Sequence, residues 1–222
     1  MPAPDLTVIV PVGPVDPAWK MLLDQLPPDW KVIVAAACAR PEGVDQSVAW
    51  NSGPAGRGRQ LNAGAALADS HWLWFVHADS QLDAAVFETV ATWCAKRDRG
   101  LGYLGLEFAS DGPGLAKLNA VGANLRSRLF GLPYGDQALC ISAREFHQLN
   151  GFREDLERGE DLDFVVRARA AGLPAGRIPG VLRTSARRYR DHGWLRTTWQ
   201  HQINACRLIR DARASAHRHQ SQ

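Results

Sequence analysis

The chain offers five short segments whose residue types and spacing could do chemistry. In the first, an apolar run, His71-Trp72-Leu73-Trp74-Phe75-Val76, stops abruptly at His77-Ala78-Asp79. Alternation at a strand end puts side chains i and i+2 on the same side. An imidazole and a carboxylate would then converge on one point and could hold a divalent ion. Such an ion could bridge a pyrophosphate and neutralise the charge on a departing diphosphate. The same residues also suit an Asp that opens a turn, with Ser80 as helper.

The second segment is Gly56-Arg57-Gly58-Arg59-Gln60-Leu61-Asn62-Ala63-Gly64. Its glycines would let backbone approach a ligand, its arginines donate to phosphate, and a helix starts there with free N–H groups. A solvated turn is the plainer alternative, and the Gly-Lys-Ser/Thr ending of a Walker loop is missing. The third, Gly131-Leu132-Pro133-Tyr134-Gly135-Asp136-Gln137, sets an acid and an amide in a framed turn. It reads as an acceptor-binding loop or as a turn capped by Asp136. The fourth, Glu157-Arg158-Gly159-Glu160-Asp161-Leu162-Asp163, crowds carboxylates at a helix start. The helix dipole favours acids there, and mutual repulsion can lift one of them towards the range of a general base. Asp163 reads as a first-turn acid. The fifth, Thr184-Ser185-Ala186-Arg187-Arg188, could clamp a diphosphate or form a solvated basic face.

The elements that must position these residues follow from hydrophobic patterning. Buried strands are expected at 6–11, 30–35, 71–76, 101–108 and 138–142, and a further one at 46–50. Helices are expected at 18–26, 61–68, 83–96 (with Asp83 as N-cap), 115–130, 143–149 and 161–171. Strands alternating with helices imply an α/β fold with a mostly parallel sheet covered on both faces. Ligands in such sheets bind beyond the carboxyl ends of the strands, where His77 and Asp79 stand. Near the C-terminus, Leu195, Trp199, Ile203, Cys206 and Ile209 mark one apolar face of a helix, Trp194 to Arg213. It would dock on the core or on a second subunit, or lie on a membrane surface.

Length and composition fit one domain over 1–222, with a core from about 6 to 209 and a disordered tail at 215–222. Of the 222 residues 45% are hydrophobic and 22% charged, and the formal net charge is +3. That is an ordinary globular balance, and the charge is too small and too scattered for a nucleic-acid grip. Cys38, Cys94, Cys140 and Cys206 form no CxxC pair, so they read as small buried residues in a reducing compartment. The absence of a signal-like N-terminus and of a membrane-length apolar run points to a cytoplasmic protein, free or resting on the inner face of the membrane.

In their order these segments resemble the family 2 glycosyltransferases. They are most similar to the small bacterial branch labelled rSAM/selenodomain-associated glycosyltransferase. The likeness rests on the Gly-Arg-x-Arg-Gln-x-Asn-x-Gly helix start, His-Ala-Asp, Gly-Leu-Pro-Tyr-Gly-Asp-Gln, Glu-Asp and Thr-Ser-Ala-Arg-Arg, and it runs from about Leu6 to Ile209. It implies a GT-A fold, a nucleoside-diphosphate sugar donor, an acceptor hydroxyl, and Mg²⁺ or Mn²⁺. On this likeness His77 and Asp79 fall on the metal-binding Asp-x-Asp turn. Asp161 falls on the general base of inverting members, with Glu160 supporting it. Asp136 and Gln137 fall on the acceptor side, and Arg57, Arg59 and Asn62 on the donor's nucleoside and phosphates.

Two departures fall on the nucleoside pocket. Pro11-Val12-Gly13-Pro14 replaces the usual Asn-Glu type of pair after the first strand. Ala35-Ala36-Ala37-Cys38-Ala39-Arg40 replaces the usual Asp-Gly-Ser after the second. They motivate an alternative, a GT-A module that binds a nucleotide, ligand or partner without catalysis. A nucleotidyltransferase is disfavoured, because its Gly-rich N-terminal signature ending in Lys is missing.

Overall fold

The computed structural model of the chain describes residues 3–109 and 116–185. Arg187, Arg188, the expected helix Trp194 to Arg213 and the tail 215–222 lie outside the described residues. The strands are β1 (Leu6–Val12), β2 (Lys31–Ala36), β3 (Ala49–Ser52), β4 (Trp72–Phe75), β5 (Gln81–Leu82), β6 (Leu101–Phe108), β7 (Cys140–Ser142) and β8 (Ala175–Thr184). The α-helices are α1 (Trp19–Leu23), α2 (Arg57–Leu67), α3 (Ala84–Ala95), α4 (Ala116–Phe130), α5 (Ala143–Gln148) and α6 (Glu160–Ala170). A 3₁₀ turn covers Gly135–Gln137.

The strands form one sheet in the order β3-β2-β1-β4-β7-β6-β8-β5. β1 pairs in parallel with both β2 and β4, and β6 in parallel with β8. β7 runs antiparallel to β4 and β6, and the short β5 antiparallel to β8. The fold is therefore α/β with a mostly parallel sheet. The strand order reverses between β1 and β4, and ligands of open α/β sheets bind beyond the carboxyl ends of the strands at such a point.

Period-2 alternation divides the core into two layers. On β4, Trp72 and Trp74 face one cluster with Trp19, Leu22, Val86, Phe87 and Val90. Leu73 and Phe75 face the other, with Leu61, Phe146, Phe164 and Val165. Helices thus cover both faces, which is why β1, β2 and β4 read as continuous apolar runs. Cys94 and Cys140 are buried thiols 3.8 Å apart, and Cys38 is half-buried.

Several boundaries differ from the sequence expectations. α2 starts four residues early, at Arg57, because Gly56 takes a positive φ of 138° and starts the turn. Gly64 lets this helix lie close on the sheet, since a Cβ there would stand 2.6 Å from Ile9 Cγ2. The strand expected at 46–50 forms at Ala49–Ser52. Asp83 occupies the N-cap position of α3 but makes no capping bond; its carboxylate takes Arg183 at 3.0 Å instead. β5 and β8 were not delimited by patterning. β8 contains Pro179-Gly180 and three exposed positions, and its pairing with β6 carries a register shift between Tyr103 and Gly105.

Candidate functional site

The candidate site is built from four elements that are remote in sequence. The β4 chain leaves the sheet at Phe75 and turns through His77-Ala78-Asp79, with Ala78 buried and the two polar residues half-buried. Thr184, the last residue of β8, sets its Oγ1 3.5 Å from Asp79 Oδ2. The 3₁₀ turn brings in Gly135, Asp136 and Gln137. The first turn of α6 brings in Glu160 and Asp161, starting from Gly159 in the left-handed region at φ 83°.

Gly135 is the point where these parts meet. Its N–H donates to Asp161 Oδ2 at 2.5 Å. A Cβ on it would lie 2.7 Å from that oxygen and 3.0 Å from His77 Nε2. Only glycine lets the imidazole, the turn and the α6 carboxylate come this close. The other oxygen of Asp161, Oδ1, accepts the N–H of Leu162 at 2.8 Å.

Asp136 stands next to Gly135 with its Oδ1 shut from solvent and without a hydrogen-bond partner among the described residues. Burial, then the charge of Asp161, pushes its pKa up to about 6; Arg126 and Arg57 pull against this, and Asp79 adds to it. Asp136 thus feels the charges of Asp161, Arg126, Arg57 and Asp79. Glu160 is also buried, at 1% exposure, with Oε1 3.4 Å from Arg57 Nε in an ion pair whose geometry makes no hydrogen bond. Burial and the neighbouring Asp161 raise its pKa as well. Burying an acid in this way costs stability, and carboxylates with raised pKa values gather at functional sites.

The remaining expected residues are placed as follows. Arg57 lies at the start of α2 and faces Glu160. Arg59 turns outward to Glu154, 3.4 Å away. Asn62 is occupied by the loop after α5: its amide donates to Phe152 O at 2.8 Å and to Glu154 Oε1 at 3.0 Å, and its Oδ1 accepts Phe152 N at 2.9 Å. Gln137 is fully buried. Its Oε1 accepts Ser127 Oγ at 2.6 Å, and its Nε2 donates to Leu104 O at 3.0 Å. Both amides are spent on holding the loops that carry other site residues. Asn62→Ala should leave both polar groups of Phe152 without partners. We expect a loss of about 2 kcal/mol, checked by denaturant unfolding. Asp163 pairs with Arg167 Nε at 2.8 Å, as befits a first-turn acid.

Arg126 had no motif to mark it. It lies on α4, its guanidinium 3.4 Å from the centroid of the Tyr134 ring, and its Nε donates to Leu132 O at 2.9 Å. It holds the turn and puts a positive charge near Asp136. The one sequence signal for it was its nearness to the Gly-Leu-Pro-Tyr-Gly-Asp-Gln string.

Among the described residues no three His, Cys, Asp or Glu side chains gather as a complete metal cluster. His77 and Asp79 offer one imidazole and one carboxylate. That suits an ion completed by phosphate oxygens and water, since Mg²⁺ sites commonly use one or two carboxylates plus substrate phosphates.

The fold is of the GT-A type, as the likeness to solved structures shows. Neither a protein-family model nor a curated protein sequence matches the chain. Among solved structures it is similar to S. aureus TarS 1–349 in complex with UDP-GlcNAc, at a TM-score of 0.63 and 14% identity over 81% of this chain and 58% of that one. It is also similar to the same protein in complex with UDP, at a TM-score of 0.62 and 14% identity over 82% and 60%. A third is the mannosyltransferase PcManGT from Pyrobaculum calidifontis in complex with GDP-Man and Mn²⁺, at 0.57 and 16% over 81% and 56%. The chain spans less than two thirds of each of these proteins.

Proposed function

We propose that the protein is a glycosyltransferase that moves a sugar from a nucleoside-diphosphate sugar to an acceptor hydroxyl, with inversion. The observation that carries this is the meeting of His77, the Gly135-Asp136 turn and Asp161 at Gly135, with Arg57 paired to the adjacent Glu160, beyond the carboxyl end of β4 and beside the reversal of strand order. The solved relatives, bound to UDP-GlcNAc, UDP or GDP-Man, support a donor of that kind. The Arg57 guanidinium and the free N–H groups at the start of α2 suit diphosphate oxygens. Asp79 and His77 would hold Mg²⁺ or Mn²⁺, which supplies positive charge against the diphosphate. Asp161, supported by Glu160, takes the acceptor proton. Arg59, Asn62 and Gln137 belong to this reading as supports of the donor and acceptor loops, and Arg187 and Arg188 as further donors to phosphate.

No helix among the described residues is long and apolar enough to cross a membrane. A cytoplasmic enzyme, free or resting on the membrane through residues 194–213, is the arrangement we favour.

A thermal-shift screen of UDP-GlcNAc, UDP, GDP-Man and GDP, each with Mn²⁺, tests the reading, because a bound ligand stabilises by mass action. We expect at least one to raise the Tm; no shift from any of them sinks the donor assignment. A second reading, a module that binds without turnover, is favoured by the acid-free segments after β1 and β2. Binding with no release of nucleoside diphosphate over long incubation would select it.

A further inference from the structure

We propose that the outward face of α4 is a docking surface for an anionic lipid bilayer. The inference does not depend on the transfer reaction proposed above. It assigns the contact to a helix of the folded body rather than to the C-terminal segment.

α4 lies along β6, and polar bonds fix which of its faces turns inward. Asn124 brackets Leu106: its Oδ1 accepts the N–H at 2.8 Å, and its amide donates to the carbonyl at 2.9 Å. The Tyr103 hydroxyl donates to Ser127 O at 3.0 Å. Ala120, Ala123 and Ser127 are buried on this side. The outward side should then be polar, and it is not. Leu118, Val121, Leu125 and Leu129 follow one another at helical spacing as a single stripe, and Phe130 ends the helix. All five are exposed, by 53% to 66%. The other large exposed apolar residues, Val15, Met21 and Leu67, stand singly on separate parts of the described chain. Scattered apolar residues are ordinary, whereas a contiguous patch marks an interaction surface.

The charges around the stripe select the partner. The sequence of α4 holds Lys117, Arg126 and Arg128 and no acid. Helical spacing sets Arg126 and Arg128 on opposite flanks of the stripe. Two more arginines stand nearby. Arg177 of β8 is opposite Tyr103 in the register of β6 with β8. Arg169 of α6 reaches Gly131, the residue after α4, with its Nε 3.0 Å from where a Cβ would stand. Arg128, Arg169 and Arg177 are exposed. Among the described residues none of these four arginines is in an ion pair, whereas six other arginines are. An apolar stripe with basic flanks and no acid is the pattern of a helix lying in the headgroup layer. Each Lys or Arg near an anionic surface adds to the attraction.

Other occupants fit less well. Segment 194–213 has an apolar face of its own, but it carries Arg196, Arg207, Arg210 and Arg213 against the single acid Asp211. Laid on α4, it would bring like charges together. A second copy would set the same arginines against each other. Five side chains also fall short of the about 20–30 residues a side that a stable interface uses. A bilayer needs no matched partner surface and carries the opposite charge.

Sedimentation of the full chain with vesicles tests the assignment. Vesicles of equal parts phosphatidylcholine and phosphatidylglycerol should bind it at least about tenfold more tightly than phosphatidylcholine alone, and high salt should narrow the gap. Leu125→Glu with Leu129→Glu should keep the wild-type Tm and weaken binding to the mixed vesicles at least about tenfold. Arg128→Glu with Arg177→Glu should weaken it by about the same factor while leaving the stripe intact. This second pair reads the same surface if the first pair disturbs the fold. The proposal is overturned if the wild type ignores the mixed vesicles or binds both kinds equally. It is also overturned if both double variants bind as the wild type does, which would move the contact to residues 194–213. A wild-type dimer in light scattering that Leu125→Glu with Leu129→Glu splits would give the face to a second copy and overturn it as well.

Discussion

Replacing Gly135 by alanine should cost at least about a hundredfold in turnover while leaving the protein folded. The new methyl would stand 2.7 Å from Asp161 Oδ2 and 3.0 Å from His77 Nε2. The first is closer than a carbon and an oxygen tolerate and the second is tight, so something must move. The sheet and the buried Gln137 anchor the turn from behind, through Ser127 and Leu104. The carboxylate and the imidazole are therefore the parts that yield. A displacement of about 1 Å in a reacting group is enough for a loss of that size. The stability cost should be about 1–3 kcal/mol, the usual range for overpacking. Steady-state release of nucleoside diphosphate, read beside a denaturant melt, separates the two. A variant with near wild-type turnover would show that the three groups do not act as one unit.

Arg167→Met should lower stability by about 3 kcal/mol, a drop in Tm of roughly 6–12 °C for a chain of this length. Asp163 is 2% exposed and has Arg167 as its close partner at 2.8 Å, with Arg153 more distant at 3.8 Å. Removing the near cation strands a buried charge. It also frees the carbonyls of Leu149 and Gly151, which accept from the two terminal nitrogens of Arg167. Those bonds fasten the loop after α5 to α6, the helix that starts with Glu160 and Asp161. Adding Asp163→Asn to Arg167→Met should recover part of the loss, because no unpaired ion then remains. Thermal melts of the single and double variants check both statements. Equal melting of the single variant and wild type would mean that Arg153 alone satisfies Asp163.

How far the sequence showed this arrangement depends on which force placed each residue. β1, β2, β4 and β6 are buried on both faces, and burial leaves a continuous apolar run that patterning detects. β8 is a different case. It holds its place through pairing with β6 and through ion pairs such as Arg183 with Asp83 and Glu107, and neither leaves a periodic signal. The start of α2 was misplaced because a glycine at positive φ opens a helix as readily as it makes a loop. At the site, His77, Asp79, Glu160 and Asp161 stood out because each ends or begins an apolar element. Asn62 and Gln137 stood out as polar residues in special strings, yet the structure spends their amides on neighbouring backbone and side-chain groups. Residue type alone could not separate a group that meets a ligand from one that holds a loop. Arg126 acts across the fold on Tyr134 and Asp136, and no local spacing records such a contact.

The most direct test is calorimetric titration of UDP and of GDP into the wild type and into Asp79→Ala, each with and without Mn²⁺. The account predicts that the wild type binds at least one of them at least about tenfold more tightly when the ion is present. It predicts that Asp79→Ala loses this dependence on the ion while keeping its fold. Binding of equal strength in all four conditions would contradict it, as would full dependence on Mn²⁺ in the variant that lacks the carboxylate.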